Sequence, residues 1–419
     1  MNKQRYRNAL VEAVLWLGIG YNFALALVNA LLFPVSTAHV YAAEMISYGL
    51  CFLLGLGALE GRRAAIVWTG IALVIAVALL RYLAIWQLDP KFLRDAIIPF
   101  AFLVLGASYR GSLPSLVMRL GVVVLLVAAF EMFMPQTYGE VVNPKSYFVN
   151  TRAAEAEGFW NEDSNLYISA TRPGERNWLP GHDLTRASSI FVEPITMGNF
   201  IIFFCAAIIA LHRSYSWPKL ALAALMILSL LVASDGRLAS ATCLLMLLLA
   251  PLLRRWDQRL SLLIFFLIML FGWLLVDVAR VDHYEDTLIG RVFFTVDSMK
   301  NLSAASWFGL DMQSPYRYFD SGIAYFIASQ SIVVVMAFLL AYSFLLRLRG
   351  GEGQLFKNLF MFAFALSLLV SNGYFSVKTA ALWWFVCGYL WQYIPVHMRG
   401  DPVDEQNGQA PSLPDYGRA

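Results

Sequence analysis

The chain has 419 residues, 59% of them hydrophobic and only 14% charged, with a mean hydropathy of +0.62 and a formal net charge of +3. A soluble domain carries about 25% charged residues because its surface must meet water, so this composition excludes a soluble globular enzyme and predicts a protein built for lipid. The net charge points to no nucleic-acid partner, because the basic residues mark the ends of apolar segments.

A spanning segment must satisfy its own backbone hydrogen bonds, and barrel strands would alternate polar with apolar residues, so long unbroken apolar runs predict helices. The expected fold is all-α, a polytopic transmembrane bundle in one domain over 1–399, with a Pro-, Gly- and Asp-rich tail over 400–419 expected to be disordered. About twelve spans are predicted, near the ~20 residues needed to cross: 10–33, 39–58, 64–86, 96–109, 113–134, 188–211, 217–233, 238–253, 260–278, 321–346, 355–371 and 378–395. Larger loops at 136–187 and 279–320 interrupt them.

Lys and Arg set the orientation. One set of connections holds Lys3, Arg5, Arg7, Arg62, Arg63, Arg110, Arg213, Lys219, Arg254, Arg255, Arg259, Arg347, Arg349, Lys357 and Arg399, whereas the alternate short connections hold only Lys91, Arg94, Arg237 and Lys378. This asymmetry predicts cytoplasmic termini and puts both large loops on the opposite, non-cytoplasmic side of the membrane. The basic start, Met1 to Asn8, leads into an apolar run too long for a cleavable signal, so it reads as an anchored first helix.

In chain order, Glu44 and Arg81 lie inside the second and third spans and could form an ion pair. Gly55, Gly57 and Gly61 superficially form a dinucleotide loop, but no strand precedes them, and helix packing is the better reading. Arg94 and Asp95 open the fourth span, as a local pair at a helix start or as a substrate contact. The cysteines Cys51, Cys205, Cys243 and Cys387 fall within spans and read as small core residues.

The first loop runs through His182 and Arg186 into the sixth span, where Glu193 is expected about two turns deep, followed by Pro194 and Gly198. A carboxylate at mid-membrane costs roughly 2.5 to 3.5 kcal/mol, so Glu193 needs either a cationic partner or a water-filled cavity. Between the seventh and eighth spans, Ser234-Asp235-Gly236-Arg237 is ordinary turn chemistry except for Arg237, whose charge runs against the insertion bias of the chain. In the second loop, Leu288, Val292, Val296 and Met299 recur at helical spacing and predict a short interfacial helix carrying Arg291. Trp307-Phe308-Gly309, Arg317 and Asp320 follow, and Asp320 stands where it could cap the tenth span.

Arg186, Arg237 and Arg291 come from three elements on one face, and guanidinium forks bind phosphate oxygens bidentately while keeping their charge. A polyprenyl pyrophosphate is the anionic ligand reachable there, with Arg94 and Arg317 as further substrate contacts. Glycosyl transfer from such a donor needs stabilisation of the departing charge and a proton acceptor, for which Glu193, Asp320 and His182 are available. No carboxylate or His/Cys cluster with metal-ligand spacing is evident, so a metal-independent enzyme without a cofactor is expected.

Arg186-Ala-Ser-Ser-Ile-Phe-Val-Glu193-Pro194 with Gly198, the Arg237 turn, and Arg291 followed by Trp307-Phe308-Gly309 and Asp320-Ser321-Gly322 resemble the Wzy-type polysaccharide polymerase and O-antigen ligase superfamily, over about residues 90–375. Within it the chain looks most like the exopolysaccharide repeat-unit polymerases. The resemblance implies a GT-C-like glycosyltransferase joining undecaprenyl-pyrophosphate-linked oligosaccharides at the periplasmic face, with the lipid bilayer, a chain-length regulator and export machinery as partners. Ligase members carry a histidine near the tenth span where this chain has Asp320, which disfavours the ligase alternative. A lipid-linked oligosaccharide flippase would spread charge across the bilayer, and a secondary transporter would show repeated halves; neither pattern is visible in the sequence.

Overall fold

The structure, a computed structural model, describes residues 3–152, 160–161, 163–174, 176–181, 185–285, 287–318 and 320–392. His182 and the predicted tail over 400–419 lie outside the described residues. The described chain is helical throughout, with no strand: α1 (Lys3–Leu31), α2 (Thr37–Gly55), α3 (Gly61–Ile85), α4 (Pro90–Ser108), α5 (Leu113–Phe133), α6 (Pro135–Val142), α7 (Pro144–Arg152), α8 (Pro194–Ala210), α9 (Trp217–Ser234), α10 (Arg237–Arg255), α11 (Ser261–Ala279), α12 (Leu288–Lys300), α13 (Ala304–Trp307), α14 (Gly322–Gln330), α15 (Ile332–Leu340), α16 (Gly350–Leu368) and α17 (Val377–Gln392). The first large loop holds α6 and α7 and the second holds α12 and α13, and residues of both line one cavity.

Seven helices among the described residues are long and apolar enough to cross a bilayer: α1, α2, α3, α5, α9, α10 and α11. An eighth span results if α14 and α15, bent by 108°, count as one. The chain is thus a helical membrane protein, although fewer helices meet that test than the twelve expected. Two of the remaining helices are short, α8 with 17 residues and α17 with 16, while α4 and α16 are long enough but too polar, which the layering of the bundle permits. On α3 only Val67, Val74 and Arg81 are buried, so this outer helix must be apolar enough for lipid. By contrast α4, α8, α16 and α17 are enclosed by other helices, and they carry buried Asp95, Asn199, Lys357, Asn358 and Lys378 at positions that meet protein. The tightest pair is α4 with α17, where Gly106 and Gly388 let the backbones touch: a Cβ on Gly106 would sit 1.9 Å from the Phe385 carbonyl oxygen, and one on Gly388 2.0 Å from that of Leu103. Gly55 packs on Val104 in the same manner, as the helix-packing reading of that glycine expects.

Two predicted spans differ in their detail. The sixth begins only at Pro194, because Ser189 (φ 52°) and Val192 (φ 62°) are left-handed and stop the helix short of residue 188. The tenth breaks at Ser331 (φ 77°), whose hydroxyl caps the outgoing half. The expected Glu44–Arg81 pair does not form. Arg81 donates instead to the Ser329 carbonyl and the Met312 sulfur, while Glu44 accepts from Tyr21 and Arg94. All four cysteines are free and buried.

Candidate functional site

The return of the first loop toward α8 is pinned from α5. Glu131, buried near the end of that helix, accepts the Ser188 and Ser189 amides at 2.6 and 2.7 Å, and the Ser189 hydroxyl donates to the Val124 carbonyl at 2.7 Å. Positive φ at a non-glycine costs about 1–3 kcal/mol and persists only where surroundings over-determine it; these bonds supply that determination at Ser189. Upstream, the Ala187 amide donates to the Ala233 carbonyl and the Arg186 amide to the Ala170 carbonyl. Arg186 is thereby held between the first loop and the turn joining α9 to α10.

That turn centres on Asp235, which caps α9 in the left-handed conformation (φ 48°). Its buried carboxylate accepts the Asn177 amide (2.8 Å), the Trp178 amide (3.3 Å), the Asn177 side-chain nitrogen (2.9 Å) and Arg186 (3.3 Å). Asn177 in turn accepts from Arg237 Nε at 3.0 Å, which fixes the orientation of that guanidinium. From the second loop, Thr287 caps α12 and directs its first turn, with Arg291, toward the same place. Arg291 lies 3.7 Å from Asp320, whose other oxygen accepts the Tyr284 hydroxyl at 2.8 Å.

These elements enclose a cavity of about 180 Å³ whose lining includes Arg172, Arg186, Arg237 and Arg291. Among the described residues Asp235 is the single acidic side chain in that wall, against four arginines. Burial lowers the pKa of Arg186, Asp235 opposes the shift, and the neighbouring cations Arg176, Arg172 and Arg237 lower it further. Two donors are left over: Ser169 Oγ and Arg186 Nε, both in groups lining this cavity, are buried without a hydrogen-bond partner among the described residues. Unmade bonds of this kind cost about 1–3 kcal/mol each, and an anion with several acceptor oxygens would satisfy them. The floor, with Gly198, Asn199 and Ile202 of α8 and Val370 after α16, grades into apolar surface.

The chain matches no family model, no curated protein and no solved structure. What it does must be read from the cavity and its surroundings.

The remaining candidate residues lie elsewhere. Glu193 is not two turns inside a helix but at the N-cap of α8, outside the arginine cavity. Its carboxylate is saturated: Oε1 accepts from Arg152 and Tyr167, each at 3.2 Å, and Oε2 from Thr196 at 2.8 Å and from the buried Lys378. Of the two needs stated for Glu193, this is the cationic partner. Arg94 is likewise committed, to Glu44 at 3.0 Å and Asp95 at 2.7 Å, and lies outside the cavity. Arg317 is exposed on a turn outside the cavity. Asp320 does not cap α14, because Ser321 does; its carboxylate is therefore turned to Arg291 and Tyr284. Among the described residues no group of three or more His, Cys, Asp or Glu is placed to hold a metal ion.

Sequence reasoning passed over Arg172, Arg176, Asn177, Glu131 and Lys378. For Lys378 a signal existed: like Arg237, it is a positive charge on a short connection of the sparsely charged side. Arg172 and Arg176 sit in an irregular loop with no periodicity to assign them a face.

Proposed function

We propose that this chain is a membrane glycosyltransferase that polymerises oligosaccharide repeat units carried on undecaprenyl pyrophosphate, with its active site at the periplasmic, loop-bearing end of the bundle. The observation that carries this reading is the gathering of Arg172, Arg186, Arg237 and Arg291 from both large loops and the α9–α10 turn around one cavity with unsatisfied donors. Guanidinium groups in a partly buried site suit a diphosphate, whose paired oxygens they bind as forks. If α14 and α15 form one span and the enclosed α4, α8, α16 and α17 also cross, the count reaches the twelve spans of the GT-C-like fold proposed.

In this reading the arginines hold the pyrophosphate of the donor. The acceptor hydroxyl attacks the anomeric carbon, the carbon–oxygen bond to the phosphate breaks, and polyprenyl pyrophosphate leaves with the electron pair while the arginines neutralise its charge. The hydroxyl proton passes to Asp320, which stands beside Arg291, whereas Glu193 has no lone pair to spare.

The test is reconstitution of purified protein with a synthetic polyprenyl-pyrophosphate repeat unit, with and without a chelator. A ladder of chain lengths in both supports the reading, and transfer of one block onto a lipid A core would point to a ligase. Movement of labelled lipid between leaflets without new glycosidic bonds overturns it. Asp320→Asn should abolish the ladder while leaving donor binding intact, since an amide keeps the shape but takes no proton.

A further inference from the structure

Farther along α12 from the arginine cavity lie two cavities that share wall residues. One, of about 430 Å³, is apolar and is formed by α11, α12, α14 and α15, with Phe265, Met269, Met299, Ile327 and Met336 in its wall. The other, of about 410 Å³, lies between the C-terminal end of α11 and α12 and presents Asp277, Arg280, Asp282, Asp297 and Lys300. Trp273, Val296 and Lys300 line both, so the two chambers adjoin. Among the described residues no side-chain hydrogen bond or ion pair engages Asp277, Arg280 or Lys300.

This combined shape is that of an amphiphile: an apolar chamber at the depth of the spans, and a polar one where α11 ends and the second loop begins. Its charge differs from that of the arginine cavity. Three carboxylates and two cations surround the polar chamber, a mixture that repels a pyrophosphate and matches a head group carrying both signs. Trp273, half-exposed at the junction, is the side chain expected at a membrane–water boundary.

We propose that this double chamber holds one zwitterionic phospholipid, its acyl chain between α11 and α15 and its head group spanning the two signs of charge, the phosphate toward Arg280 and Lys300 and the ammonium toward the aspartates. The site is separate from the arginine cavity and does not depend on the reaction performed there. Because α12 carries Arg291 toward one cavity and Val296, Met299 and Lys300 toward the other, a lipid seated here braces the helix that presents Arg291.

The test uses the full chain in nanodiscs containing equal amounts of phosphatidylethanolamine, phosphatidylcholine and phosphatidylglycerol, with retained lipid counted by native mass spectrometry after extraction into detergent. Retention of one zwitterionic lipid over phosphatidylglycerol by about fivefold is expected, the preference that a few exposed charge contacts supply. Asp297→Lys, at an exposed position, should shift the preference toward phosphatidylglycerol, and Met336→Trp, which fills the apolar chamber, should lower retention of every lipid. Equal or greater retention of phosphatidylglycerol by the unmodified protein overturns the proposal. So does an Asp297→Lys protein with unchanged preference, an outcome that is readable even if Met336→Trp fails to fold.

Discussion

Two charged clusters share the loop end of this molecule and differ in how their charge is balanced. Around Glu193, Lys378 and Arg152 face one carboxylate, with Tyr167 and Thr196 filling its remaining lone pairs. Around the cavity, Arg172, Arg186, Arg237 and Arg291 gather at a wall that holds Asp235, with Asp320 3.7 Å from Arg291, and two buried polar atoms find no partner among the described residues. The first cluster is closed and fastens the first loop to α8 and α17. The second is open and calls for an anion. A buried charge therefore says little about function until its neutralisation is known, because fastening and binding draw on the same residue types.

The largest expected effect separates the clusters by stability. Glu193→Gln leaves the buried Lys378 without its counter-charge and should cost about 3–5 kcal/mol, seen as a lowered midpoint or lost yield in detergent thermal unfolding. A midpoint within a degree of the parent's would show that the cluster fastens nothing. Next, Arg237→Ala should lower turnover of the lipid-linked donor by about 10²–10³-fold, while stability stays within about 0.5 kcal/mol because the side chain is exposed. Arg237→Lys should fall in between, having the charge without the fork. If both arginine variants unfold early yet turn over normally, the two clusters have been assigned the wrong way round.

Asn177→Ala tests whether orientation matters in the open cluster. It removes the acceptor that holds Arg237 Nε and one donor to Asp235, and should weaken donor binding by about tenfold, as the loss of one hydrogen bond to a charged group implies. The smallest effect is expected at His283, whose ring nitrogens donate to the Asp282 and Glu285 carboxylates, which raises the imidazole pKa. A raised folded pKa adds stability below the unfolded value of about 6.5 that fades as pH rises through the folded one; on a fully exposed side chain this should leave the thermal midpoint flat. Asp282→Asn should lower the His283 pKa in an NMR titration without changing turnover.

Much of the architecture was legible in advance. The helical spacing of Leu288, Val292, Val296 and Met299 is realised as α12, and the odd charge of Arg237 singled out a residue that lines the cavity. Seven or eight helices meet the length-and-hydropathy test against the twelve spans expected, since α8 and α17 are short and an enclosed helix such as α16 can carry Lys357 and Asn358. The sixth span was placed too early, since nothing local in Ser-Ser-Ile-Phe-Val announces two left-handed residues; the first, Ser189, is held by Glu131, more than fifty residues away, taking the Ser188 and Ser189 amides.

The sequence by itself determined the class of molecule, the rough ladder of helices and a short roster of charged residues, because apolar runs and charge excess are local properties of a chain. Only the tertiary structure decided which of those charges are cancelled. Glu193 meets Lys378 across 185 residues and Asp235 meets Asn177 across 58, and no local pattern encodes such meetings. Electrostatic neutralisation acts over a few ångströms in space, so the difference between a fastening and a binding site emerges only once the helices have packed.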